Sequence, residues 1–355
     1  GRRPRMEKTH TSDGLPRKAT DLITHRLEPD VGQVRGAASI LAILLCMMVG
    51  PCLPVVGVGL ACTETYRVAG TALLAAVAAS GFFGSHSPKW SAFYLKAAGW
   101  FRRGVYMHVD RGALAQMRAH RSMWCMHPHG TSIGFGFSLN GAVRFRAEDD
   151  ARYCGAELAE NLDDARKRSC DGVMAPVLFR IPLLRQALLG FGCCTPATKQ
   201  GMFSLFRKNL DFGILPGGME EVALYSQNRD RVFIRKRAGF IKYALQHGYN
   251  LQPAFTFGES DIYASLQHPL YRRLCLFTLK HAGFVIPVFW GPRWYCPLLP
   301  RDDVALHTVI AHPVKLPKIE QPTADDVAHW HGRYVAALQA IYDDHKARFG
   351  YGHRE

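Results

Sequence analysis

No two cysteines in this chain stand in C-x-x-C spacing, which removes the usual support for a zinc ribbon or a thioredoxin-like redox site. The 10 cysteines follow no even framework: Cys193 and Cys194 are adjacent, and Cys46, Cys52 and Cys62 lie in an apolar run. Reduced and mostly buried thiols are the expectation, which places the body of the chain on the cytosolic side. Acidic residues are also scarce, 29 against 44 lysines and arginines, for a formal net charge of +15. Such an excess favours an anionic partner: nucleic acid, an anionic membrane surface or a phosphate-bearing substrate. No basic-aromatic motif of a known nucleic-acid module is present, so nucleic acid is not expected as a partner. Internal repeats and low-complexity tracts are absent too. With 48% hydrophobic and 21% charged residues, 355 positions suit a folded chain with one large core or two modest ones.

Charge is missing altogether from Gly36 to Thr63, and again from Val68 to Ser87. About 20 apolar residues cross a bilayer core as a helix, and both runs reach that length. A cleaved signal peptide fits poorly, because two runs follow one another after a polar stretch of 35 residues. Arg17, Lys18, Arg26 and Arg35 precede the pair, and Lys89, Lys96, Arg102 and Arg103 follow it. Both flanks then stay cytoplasmic and the runs form a two-helix membrane hairpin. A buried helical pair in a soluble core is the alternative. Pro51 and Pro54 interrupt the first run and leave a re-entrant bend open. The chain therefore divides into a mobile polar tail (1–35), the hairpin (36–87) and a soluble body (88–355).

In the body, short apolar runs alternate with helical patterns. "SMWCM" (122–126), "DFGILPGG" (211–218) and "NLQPAFTFGE" (250–259) read as strands. "AGFIKYALQHG" has Phe240, Ile241, Ala244 and Leu245 on one helical face and Gly248 as its stop. Near the end, the spacing from Ala324 to Gly350 predicts a long helix, with Asp325 and Asp326 at its start and Lys346 and Arg348 at its end. Its Trp330, Tyr334 and Tyr342 read as core. Strand–helix alternation implies an α/β layered fold.

Three clusters could carry chemistry. In "HPHG" (127–130), Pro128 pushes His127 into extended backbone and His129 lies just past the strand, where the chain turns at Gly130. "TSIGFGF" then begins a helix with Thr131 or Ser132 as cap. An imidazole at a strand-to-helix turn faces the crevice where α/β proteins bind ligands, and it can act as a general base near neutral pH. Taken alone, however, a buried structural histidine is the commoner outcome. A His-x-His metal pair lacks any nearby Cys, Asp or Glu to complete a first shell, so no metal is expected. In "LPGGMEE" (215–221), Gly217 and Gly218 follow a strand and offer bare N–H groups, and Glu221 offers a carboxylate to orient an imidazole. A tight turn with an acidic helix start accounts for the same letters. Arg235, Lys236 and Arg237 precede a glycine and an amphipathic helix. That is a solvated face or a place to hold phosphates.

In this order, "HPHG", "PGGMEE", "RAGFIKYALQHGYNLQPAFTFGE" and the closing helix after "HPVKLPKIEQP" resemble the type-2 diacylglycerol acyltransferase family, which includes monoacylglycerol and wax-ester acyltransferases. The likeness covers about residues 88–350. It implies a glycerolipid-acyltransferase-like α/β fold and acyl transfer from acyl-CoA to diacylglycerol at the cytosolic face of the endoplasmic reticulum, with access to lipid droplets. Monoacylglycerol, a fatty alcohol or a sterol remain alternative acceptors, and a non-catalytic membrane lipid-binding protein is the rival reading. Related acyltransferases use a His-x4-Asp motif. With His129 as that histidine, the acidic position falls on Gly134, and Glu221 becomes the replacement acid. His312 is a second departure from the family pattern and bears on the lipid pocket. His129 is then the base, Glu221 its partner and His127 a shaper of the turn. Pro128 contacts the substrate, backbone N–H groups at Gly130, Gly217 or Gly218 hold the oxyanion, and Arg237 with Arg235 or Lys236 holds CoA phosphates. Acyl-CoA is a substrate, and no cofactor is expected. The partners are acyl-CoA, a neutral lipid and the bilayer, and a homo-oligomer is admitted.

Overall fold

The computed structural model describes residues 22–27, 32–110, 113, 121–131, 133–140 and 170–354. Most of the expected polar tail, Arg17 and Lys18 of the first basic flank, and Ser132 lie outside these residues. Among the described residues the first elements are β1 (Leu22–Leu27), α1 (Gln33–Ala61), α2 (Arg67–Ser80) and α3 (Pro88–Leu95). β2 (Val105–Asp110), β3 (Ser122–His127) and β4 (Cys170–Met174) follow, with a short π-helical turn at Gly136–Asn140. Next come α4 (Leu184–Phe191), β5 (Cys194–Pro196), α5 (Lys199–Arg207), β6 (Asp211–Ile214), α6 (Gly218–Leu224), α7 (Gly239–His247) and β7 (Asn250–Phe257). β8 (Ala264–Ser265), α8 (Pro269–Ala282), β9 (Phe289–Trp290), β10 (Leu306–Ile310) and α9 (Ala324–His345) complete it.

Eight strands form one sheet in the order β1-β2-β10-β7-β3-β6-β4-β5. β7, β3, β6, β4 and β5 run parallel to their neighbours, while β1 against β2 and β10 against β7 are antiparallel. β3 and β7 are buried along their whole length, as central parallel strands must be when both faces are covered. Alternation sorts their side chains. Met123 and Cys125 pack with Ile241, Leu245, Leu338 and Ile341 under α7 and α9, whereas Trp124 and Met126 pack with Met107, Phe137 and Ile310 on the opposite face. The α/β expectation holds.

The element boundaries follow local chemistry. Gly248, left-handed at φ 65°, stops α7. At the start of α9, Thr323 accepts from the Asp326 N–H and the Asp326 carboxylate accepts from the Thr323 N–H, a reciprocal capping box. α9 closes at His345, short of the expected Gly350.

Three expectations need correction. Part of the tail is not a tail: Leu22–Leu27 pairs antiparallel with β2, with Leu22 opposite Asp110, and becomes the edge strand of the sheet. The two-helix membrane hairpin is not shown: one helix in this region, not two, is long enough to span. α1 has 29 residues and is long and apolar enough to cross a membrane, and it runs unbroken through Pro51 and Pro54. α2 packs back on it but has only 14 residues, about 21 Å at 1.5 Å per residue and short of a hydrocarbon core of about 30 Å. The segment after Ser80 holds Gly81 and Gly84 and gives way to a new start, where Ser87 caps α3 and Pro88 occupies its first turn. Finally, the thiols are not mostly buried. Of the eight described free cysteines only Cys125 and Cys275 are, and Cys52 and Cys62 are exposed.

Candidate active site

β7, β3 and β6 end at the same edge of the sheet because they run parallel and in adjacent positions. His127 closes β3 opposite Phe255 of β7, and Cys125 stands opposite Ile214, the last residue of β6. The turns 127–130, 215–218 and 258–259 therefore emerge side by side, at the carboxyl ends of strands where such sheets bind ligands. The sequence-distant "HPHG", "PGGMEE" and "FGE" blocks meet there.

Glu221, buried on α6, ties the first two together. Its Oε2 accepts the His129 backbone N–H at 2.7 Å, its Oε1 accepts the Phe233 N–H at 2.8 Å, and Oε1 stands 3.6 Å from Nδ1 of His127. An added Cβ on Gly217 would lie 1.7 Å from that Oε1, so only glycine lets the carboxylate in. Burial alone would raise the Glu221 carboxyl, but the His127 ring and the two N–H donors outweigh it and hold the pKa below the usual range. Nε2 of His127 is 2.8 Å from the Tyr334 hydroxyl of α9. The order Tyr334–His127–Glu221–His129 is thus a connected polar line under the turn.

His129 differs from His127 in access. The His127 ring is wholly enclosed, while His129 keeps part of its surface open. Its Nδ1 is buried with no hydrogen-bond partner. Desolvation lowers the His129 pKa, with Glu221 and neighbouring backbone groups opposing that effect, so the ring is neutral at neutral pH.

A second buried carboxylate lies on the other side of Gly130. Glu259 accepts the Phe135 N–H at 2.8 Å and the Gly136 N–H at 2.7 Å. Gly130 sits at φ 74°, and a Cβ there would lie 2.7 Å from Glu259 Oε1, so the turn needs glycine for both conformation and room. Burial pushes the Glu259 carboxyl up to about 7, and its two N–H bonds offset only part of that.

A cavity of about 420 Å³ lies between the 230–236 loop, Phe255 and the Val335, Leu338 and Tyr342 face of α9; of its lining residues, Phe255 stands opposite His127 in the sheet and Phe233 donates its N–H to Glu221. Arg235 and Lys236 line it and are exposed.

A family model described as diacylglycerol acyltransferase matches residues 150–354. The chain belongs to the diacylglycerol acyltransferase family. Diacylglycerol O-acyltransferase 2 of Danio rerio is 32% identical over 190 residues, 48% of this chain and 50% of that protein. The human acyl-CoA wax alcohol acyltransferase 1 is 35% identical over 182 residues, covering 48% and 54%. The human 2-acylglycerol O-acyltransferase 3 is 34% identical over 184, covering 49% and 53%. The chain spans about half the length of the curated relatives it matches. The crystal structure of the 1-acyl-sn-glycerophosphate acyltransferase PlsC from Thermotoga maritima aligns over 87% of this chain and 97% of its own, at 12% identity and a TM-score of 0.36.

In this family member the expected site residues sort as follows. His127, Pro128, His129, Gly130, Gly217 and Glu221 come together. The Glu221 contact to His129 is to its backbone, however, and the ring facing Glu221 is that of His127. Position 134 faces the His129 carbonyl, since a Cβ on Gly134 would lie 2.9 Å from that oxygen. Gly218 is corrected as a free donor, because its N–H is spent on the Leu215 carbonyl at 3.0 Å. Arg237 is half-buried and ion-paired with Glu220, while Arg235 and Lys236 face the cavity. Thr131 does not cap the helical turn after "HPHG"; the Glu259 carboxylate takes the Phe135 and Gly136 N–H groups instead. His312 is 2.9 Å from Asp110. It follows β10, which is antiparallel to β7, and so stands at the opposite edge of the sheet.

Two residues went unassigned in the sequence. Glu259 was signalled by an acidic residue directly after the apolar "FTFG" strand end. Tyr334 carried no signal beyond helical periodicity, since its partner is 207 residues away.

Proposed function

We propose that this chain transfers an acyl group from acyl-CoA to the free hydroxyl of diacylglycerol, forming triacylglycerol. The observation that carries the reading is His129: a neutral, partly open imidazole at the carboxyl end of a parallel strand, fixed through its backbone by a buried carboxylate. The acceptor hydroxyl gives its proton to His129 as its oxygen attacks the thioester carbonyl. The carbonyl becomes an oxyanion, for which Gly130 and Gly217 are the remaining backbone donors of the expected set. Collapse breaks the C–S bond, and the CoA thiolate leaves with the proton returned from His129. Glu221 and His127 act as positioning residues for the turn. Arg235 and Lys236, exposed along the 230–236 cavity, would hold the CoA phosphates; their exposed positive charge supports that role.

A membrane setting goes with this reading: α1 supplies a span, α2 folds back along it, and the sheet lies on the cytosolic side of the endoplasmic reticulum, with lipid droplets as a second address. The relatives named above differ in acceptor, so the test uses membranes given oleoyl-CoA and a panel of diacylglycerol, monoacylglycerol, fatty alcohol and sterol, with products read by mass. Triacylglycerol as the dominant product is expected. His129→Ala, inserted and folded, should lower transfer by about 10²- to 10⁴-fold. Near-normal transfer by that variant would sink the scheme, and binding without turnover by the unaltered chain would favour a lipid carrier.

A further inference from the structure

α8 has two apolar faces with different fates. Tyr271, Cys275 and Leu279, spaced four apart, turn inward and pack with Val222, Ala223 and Val285 against α6. On the outer side Leu270, Leu274 and Phe277 are 64%, 56% and 60% exposed. Arg273, Lys280 and His281 accompany them in the open. The following segment is strapped along the helix, since the Tyr271 hydroxyl donates to the Ile286 carbonyl at 2.8 Å and accepts from the Val288 N–H at 2.7 Å. It extends the apolar surface through Ile286 and Trp290 to Trp294, which is 91% exposed, and Tyr295.

Two connections limit what can cover this face. Phe289, Cys296 and Leu298 pack into the same cluster as Ile40, Ile43 and Leu44 of α1, so the surface leaves the core beside the apolar helix. A crevice of about 20 Å³, lined by Val288, Phe289, Val222 and Thr131, lies between this segment and the residue that follows the active-site turn. Exposed tryptophan and tyrosine beside lysine and arginine, around a leucine–phenylalanine stripe, match the apolar–polar boundary of a bilayer and its phosphate headgroups. The net charge of +15 favours an anionic leaflet.

We propose that the outer face of α8, with residues 286–295, lies in the membrane interface as a second lipid contact apart from α1, and passes lipid acceptors from the leaflet to the His127–Gly130 turn. The delivery step rests on the acyl-transfer reading, and the contact itself does not.

The test uses the full chain in vesicles of phosphatidylcholine and phosphatidylserine, with bromine placed on the acyl chains either near the headgroup or near the methyl end. Shallow bromines should quench a tryptophan component that disappears in the Trp290→Phe/Trp294→Phe variant, and deep bromines should not. Equal quenching of both proteins overturns the contact. So does absent quenching with cross-links between chains at Trp294, which would mean that a second copy covers the face. Phe277→Glu, confirmed folded by cooperative unfolding, should slow transfer to vesicle-embedded diacylglycerol about ten-fold while transfer to a dissolved short-chain diacylglycerol stays within about two-fold. Equal losses on both overturn the delivery role. If the unaltered chain acylates no acceptor, the acyl-transfer reading fails while the quenching still decides the contact.

Discussion

Glu221 and Glu259 flank the same turn and are both buried, and each accepts two backbone N–H groups at 2.7–2.8 Å. Their acidities nonetheless move in opposite directions, Glu221 down and Glu259 up to about 7. What Glu221 has and Glu259 lacks is an imidazole, His127, at 3.6 Å. Two amide dipoles do not offset full desolvation of a carboxylate, but two amides and a histidine do. One side of the turn therefore holds a fixed negative charge and the other an acid that changes state near neutral pH. Around Glu259 the Tyr94, Tyr225 and Tyr263 hydroxyls are themselves pushed up by burial and then by its charge, consistent with a pocket that resists ionisation.

Removing the fixed charge has the largest expected effect. Glu221→Ala leaves the His129 and Phe233 N–H groups without their acceptor and removes the carboxylate 3.6 Å from buried His127 Nδ1. It should cost about 3–5 kcal/mol of stability, read as a lowered thermal midpoint in detergent. Acyl transfer should fall with it, because the backbone bond that sets His129 is gone. A variant as stable as the parent would mean that the polar line under the turn is dispensable.

On the other side the signature is a pH slope. The Glu259 carboxyl, ordinarily near 4.5, is raised to about 7 in the fold. Between these values the unfolded chain has lost a proton that the folded chain keeps, so this group's contribution to stability declines as pH rises from 4.5 to 7. The decline amounts to about 3 kcal/mol at 1.36 kcal/mol per unit. His108 and His307, lowered to about 3 and about 4 by burial and, for His108, then by His307, contribute a slope of the opposite sign below pH 6.5. The measurement is therefore the difference between the parent and Glu259→Gln, followed by chemical denaturation across this range. The variant should gain stability relative to the parent as pH rises. Parallel curves would show that Glu259 ionises normally and that the contrast with Glu221 is wrong.

This asymmetry was only half legible in the sequence. "HPHG" and "PGGMEE" declared a strand-end turn and a carboxylate through glycine, proline and charge, and parallel neighbours bring such turns together without further information. Whether Glu221 meets the ring or the backbone of His129 depends on side-chain reach, which spacing does not encode. The proton state of Glu259 depends on what surrounds it, and those tyrosines come from α3, the α6 terminus and the segment after β7. The length of α2 was overread because hydropathy marks apolar residues and not where glycine ends a helix. Leu22–Leu27 was missed because an edge strand needs only one buried face and borrows its order from β2.

The smallest perturbation probes the end of the polar line. Tyr334 is buried and packs as core against Phe240, yet its hydroxyl is the partner of His127 Nε2 at 2.8 Å. Tyr334→Phe keeps the ring and removes one hydrogen bond, worth about 0.5–1.5 kcal/mol. If the bond only satisfies a buried imidazole, stability drops by that amount and the pH profile of acyl transfer is unmoved. If it orients His127 against Glu221, the Glu221 carboxyl loses part of what holds its pKa down. The acid limb of the profile should then shift to higher pH, and further than in Tyr342→Phe, a core change on the same helix. An unshifted limb would confine the source of the Glu221–Glu259 contrast to His127 and the two backbone donors.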